Sequence, residues 1–88
     1  MSLDSVIVTI ITERDRQDAK WGEQNHDDLY WLGILLEEVG ETAKALIEFD
    51  SAKAREELIH TVAVGVGWLE CIERRANNAM QPTQEQRG

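Results

Sequence analysis

The sequence predicts an all-α fold, a three-helix protomer that assembles into an oligomeric helical bundle. Apolar residues recur at the three-and-four spacing of a helix face in each long segment, and the single proline stands near the C-terminal end. The third observation is the middle of the last segment, TVAVGVGWLECI, which is apolar on nearly every side. A helix of that kind is buried all round. Two other helices in an 88-residue chain cannot surround it, so it is expected to pack against a copy of itself, with Gly65 and Gly67 allowing close approach.

The first helix follows from Leu3, Val6, Ile7, Ile10 and Ile11, which share one face. Val6–Ile11 alone reads equally as a strand, but the charged ERDRQDAK that follows has no alternation and favours helix. Gly22 is the expected C-terminal stop, and GEQNHDD a polar loop. Asp27 or Asp28 caps a second helix over about Leu29–Ile47, whose broad apolar face is Leu29, Leu32, Leu35, Leu36, Val39, Ala43 and Leu46. Gly40 weakens that helix by about 1 kcal/mol relative to Ala, which implies a close neighbour there. Phe49-Asp50-Ser51 is a short connection, Ser51 can cap the third helix, and that helix runs over about Ala52–Ala76. The helical domain is thus expected over residues 1–76, with a mobile polar tail over 77–88.

Composition narrows the function. A domain of 88 residues buries a modest share of its surface and is marginal alone, which again favours a partner chain or a ligand. The lone Cys71 excludes an internal disulfide and suits a reducing, cytoplasmic setting; no basic-then-apolar leader opens the chain. No apolar run approaches the roughly 20 residues of a membrane span. A net charge of −8 argues against nucleic-acid binding, and a phosphate-bearing ligand would need to bring its own cations.

The chemistry concentrates in LLEEVGE, where Glu37, Glu38 and Glu41 sit within an apolar helix. Glu38 and Glu41 lie about one-sixth of a turn apart, on a stripe bordered by Trp31, Ile34 and Ala45. Helix three carries Glu57 and His60 at the same i, i+3 spacing, and Glu57 shares its stripe with Thr61, Val64 and Trp68. Antiparallel helices joined by a short turn bring the two pairs face to face, creating the oxygen-rich seam that Mg²⁺ or Mn²⁺ needs. The alternative is a set of solvated helix acids with ordinary Lys and Arg neighbours.

LLEEVGE followed by REELIH resembles the MazG-like, all-α nucleoside triphosphate pyrophosphohydrolases, whose signature is EExxE, a spacer, then ExxD. Glu37-Glu38-Val39-Gly40-Glu41 matches the first half, Glu57-Leu58-Ile59-His60 the second except at its last position, and ERDRQDAKWGEQNHDD is similar to the segment that precedes the motif in small phage and bacterial members. The resemblance spans roughly residues 10 to 75. It implies a homodimer or homotetramer that hydrolyses a nucleoside triphosphate to the monophosphate and pyrophosphate with Mg²⁺, as in cleansing of the nucleotide pool. It implies Glu38, Glu41 and Glu57 as metal ligands and Glu37 as a further ligand or the residue that orients the attacking water. His60 stands where the family has Asp. It leaves open a site with fewer carboxylates, a preference for Mn²⁺, weakened catalysis, or a histidine merely hydrogen-bonded at the seam. It also keeps open a non-catalytic bundle that binds nucleotide or a protein partner.

On the substrate side the resemblance suggests Trp21 as a wall or stacking surface for the base, against the alternative of core packing. Lys20 could meet a phosphate, and Gln24 and His26 could hydrogen-bond base or sugar; each could equally be a solvated loop residue. Trp31 and Trp68 read as packing residues. Lys44, Lys53, Arg55, Arg74 and Arg75 are unranked phosphate partners.

Overall fold

Short polar side chains open all three helices. The Ser2 hydroxyl accepts the Ser5 amide at 3.2 Å, the Asp27 carboxylate accepts the Tyr30 amide at 2.9 Å, and Asp50 accepts the Lys53 amide at 3.0 Å. The helices are α1 (Leu3–Trp21), α2 (Asp28–Ile47) and α3 (Ser51–Ala79). The computed structural model describes residues 2–79, which form these three helices and their connections with no strand among them. The third cap is therefore Asp50 rather than Ser51, and α3 continues past Ala76 to Ala79. Residues 80–88, most of the expected tail, lie outside the described residues.

The two connections are closed by left-handed residues. Gly22 ends α1 at φ 73°, with its amide on the Asp18 carbonyl. At the α2–α3 turn Phe49 takes φ 57°; its amide meets the Leu46 carbonyl, and the Asp50 amide reaches back to Ala45. That is the Schellman pattern, with Phe in the place where Gly is usual. The turn reverses the chain, and α3 packs against both α1 and α2.

What the helices bury departs from the sequence expectation. The core is small: Trp31, Val64 and Cys71, with Ile34, Leu35 and Trp68 packed against it. Along α1, Leu3, Val6, Ile7 and Ile11 are exposed, and the buried residues are Glu13 and Gln17. Along α2 the expected core face stands in solvent at Leu29, Leu32, Leu36, Val39 and Leu46; of that face only Leu35 joins the core. Along α3, Leu58, Val62, Leu69 and Ile72 are exposed in the protomer. The reason is geometric. Two helices, α1 and α2, cover one side of α3, and nothing among the described residues covers the other.

The exposed stripes are regular. Leu29, Leu32, Leu36, Val39, Ala43 and Leu46 alternate spacings of three and four, and Leu58, Val62, Gly65, Leu69 and Ile72 do the same on α3, the a/d pattern of a helix–helix seam. Gly65 has open space around it, as does Gly40, so the neighbour expected at Gly40 is absent from the protomer. Gly67 packs within its own chain rather than awaiting a copy. A Cβ there would meet the Arg14 guanidinium at 3.3 Å and the Trp31 ring at 3.4 Å. The molecule is elongated, 57 × 28 × 21 Å, with a radius of gyration of 16.1 Å; a compact chain of this length would have about 12 Å.

Candidate metal centre and cleft

The seam between α2 and α3 is built from polar rungs. Thr42 and Thr61 each bond the carbonyl four residues back, those of Glu38 and Glu57, and their hydroxyls face each other at 3.4 Å. The next rung holds the carboxylates. One ligand-type atom from each of Glu38, Glu57 and His60 falls within 4.8 Å of the others. His60 Nδ1 is 3.5 Å from Glu57 Oε2 and 3.9 Å from Glu38 Oε2, and its Nε2 is 3.7 Å from Glu13 Oε2 on α1. Lys53 reaches the other Glu57 oxygen at 3.3 Å.

Two carboxylates in this group differ in electrostatic state. Burial, together with the charge of Glu57, raises the Glu38 pKa above 4.5. Its Oε2 atom is buried and has no hydrogen-bond partner. Glu13 is more deeply buried, yet its pKa is lowered, because Arg16 grips both oxygens at 2.8 and 2.7 Å and Gln17 adds a bond at 3.2 Å. An unpartnered buried oxygen on Glu38, beside a second carboxylate and an imidazole, suits a divalent cation, whose charge would offset the cost of burying it. The oxygen-plus-nitrogen donor set suits Mn²⁺ or Zn²⁺ as well as Mg²⁺.

This group opens into a cleft of about 760 Å³ lined by all three helices and the α1–α2 loop. Among the residues singled out in the sequence, Glu37 and Glu41 line the cleft outside the three-residue group. Trp21, Gln24 and His26 line it as well. Trp21 is exposed rather than packed in the core. His26 meets the Gln24 side chain at 3.0 Å and lies 4.3 Å from the Tyr30 ring and 5.3 Å from Trp31. Lys20 is absent from the lining, and its ammonium sits 4.6 Å over the Trp21 ring. Trp31 is a core residue, and Trp68 donates its indole N–H to Asp28.

Three of the phosphate candidates have protein partners. Arg74 bonds Asn25 and the Gln24 carbonyl, Arg75 bonds Asp28 and the His26 carbonyl, and Lys53 bonds Glu56 and Glu57. The first two tie the loop to α3. The sequence reading missed Arg14 and Gln17, which line the cleft, and Glu13, which adjoins His60 outside that lining. Arg14 is bonded to Gln17, Asp18 and Glu70 beneath the cleft floor at Gly67. The signal was present, since Glu13 and Gln17 continue the stripe of the half-buried Ile10 at i+3 and i+7. It was hidden because both lie inside a charged run that reads as solvated.

Comparison of the chain with models of known protein families, with curated proteins and with solved structures finds no match.

Proposed function

We propose that the protein hydrolyses a nucleoside triphosphate to the monophosphate and pyrophosphate with a divalent cation held by Glu38, Glu57 and His60. The observation that carries the reading is the buried, unpartnered Glu38 oxygen within a carboxylate–imidazole group that faces a nucleotide-sized cleft. Bound there, Mg²⁺ or Mn²⁺ supplies Lewis acidity and an activated water. Glu37 and Glu41 line the cleft, and in this reading they add a ligand or orient that water. Trp21 offers the base a stacking face, and Gln24 and His26 offer it polar edges. The cation also offsets the repulsion between a triphosphate and a protein of net charge −8. The two exposed a/d stripes support a homo-oligomer in which α2 and α3 pack on a second copy.

The test is pyrophosphate release from a panel of ribo- and deoxynucleoside triphosphates with Mg²⁺, with Mn²⁺ and with chelator. Release confined to the metal-containing samples is expected; no release with either ion sinks the proposal. One observation favours a second reading, a nucleotide-binding bundle without turnover. His60 lies within 4 Å of three carboxylates, so its ring can bridge them with no bound cation. That reading expects nucleotides to raise the melting temperature while pyrophosphate stays undetected.

A further inference from the structure

We propose that Glu13 of α1 is a positioning residue for the metal centre: its carboxylate accepts the Nε2 proton of His60, turns the Nδ1 lone pair toward Glu38 and Glu57, and so biases the centre toward Mn²⁺ over Mg²⁺. The inference rests on the metal reading above. Its basis is the disposition of the ring. Nδ1 faces the two candidate ligand carboxylates at 3.5 and 3.9 Å, and Nε2 faces away from them, toward Glu13 at 3.7 Å. Metal-ligating histidines usually donate their second ring N–H to a carboxylate, which sets the tautomer and raises the basicity of the ligating nitrogen.

Glu13 is built for that role. Its side chain is nine-tenths buried, and its two oxygens are immobilised by the Arg16 guanidinium and the Gln17 amide. Its carboxylate is therefore held near His60 Nε2, at 3.7 Å, a contact that tightens to a hydrogen bond under this proposal. Glu13 does not belong to the group that can reach a common cation, so its influence passes through the imidazole. Mg²⁺ takes nitrogen ligands poorly and Mn²⁺ tolerates them, so a well-oriented imidazole discriminates between the two.

The experiment measures Mn²⁺ and Mg²⁺ affinity, and the ¹⁴N electron-spin-echo modulation of the Mn²⁺ complex, for the full chain and for Glu13→Ala, Glu13→Gln, His60→Asp and Glu13→Ala/His60→Asp. Circular dichroism establishes that each variant is folded. The full chain is expected to show directly coordinated nitrogen, absent in His60→Asp. Glu13→Ala should lose about tenfold in Mn²⁺ affinity with a smaller loss for Mg²⁺, and Glu13→Gln, which keeps an acceptor oxygen, should recover part of it. In the His60→Asp background, Glu13→Ala should change the Mn²⁺-to-Mg²⁺ ratio no further. Equal losses for both ions would show that Glu13 acts only as a distant charge and overturn the inference, as would a full chain that binds Mn²⁺ without nitrogen. Equal losses leave the proposed function intact, and binding without nitrogen removes His60 from the ligand set but leaves metal-dependent pyrophosphate release to its own test. A full chain that binds neither ion removes both proposals.

Discussion

On the cleft side of α2 and α3, Glu57 is buried and Glu38 and His60 are half-buried; on the opposite side Leu36, Val39, Leu58 and Leu69 stand exposed. A stable monomer distributes polarity the other way. Both sides are written on the same two helices, about two-fifths of a turn apart on the wheel. The cleft stripe runs through Trp31, Ile34, Glu38 and Ala45, and the outer stripe through Leu29, Leu32, Leu36, Val39 and Leu46. The contrast teaches that hydrophobic periodicity locates a helix face but does not say whether its partner lies in the same chain. It also separates two kinds of cost: burial of like charges on one side, which a cation would offset, and exposure of apolar area on the other, which a second copy would cover.

The largest expected effect tests the cleft side. Glu38→Gln should lower metal-dependent pyrophosphate release by about 100-fold or more, since the charge stabilisation supplied by a metal is worth several kcal/mol. The metal-free variant should melt no lower than the parent, because it removes a buried, unpartnered charge beside Glu57. Parental turnover would break the assignment of Glu38 to the metal, and a collapsed fold would mean that the carboxylate is structural.

The outer side is tested next. Leu36→Lys with Leu69→Lys places charges in the middle of both exposed stripes. Sedimentation should show the parent as an oligomer and the double variant as a monomer. On an isolated protomer such surface changes cost within about 0.5 kcal/mol each, so an unchanged sedimentation coefficient would leave the stripes without the role proposed for them.

The smallest effect uses a carboxylate that already has partners. Asp28 accepts from the Trp68 indole at 2.9 Å and from Arg75 at 3.2 Å, which lowers its pKa below 3.8. The sign follows: this stabilisation is present above the unfolded value and is lost as pH falls through the folded one. Asp28→Asn should therefore flatten the acid limb of melting temperature against pH while leaving neutral behaviour nearly unchanged. Identical acid limbs would show that the contrast between a partnered Asp28 and an unpartnered Glu38 has no thermodynamic weight.

The number, order and approximate bounds of the helices were legible in the sequence, because capping residues, breakers and three-and-four spacing are local properties. Gly22, Asp27 and the turn at Phe49-Asp50 act where they stand. The facing of Glu38 on Glu57 and His60 was also legible, since two antiparallel helices and a short turn leave little freedom in register. Only the tertiary structure decided the rest. It turned the richest apolar faces outward, set Gly67 against Arg14 and Trp31, and buried two residues of a charged run, Gln17 in the third wall of the cleft and Glu13 beside His60. Periodicity reports which residues share a face. What that face meets depends on how the helices cross, and that is settled by packing between residues far apart in the chain.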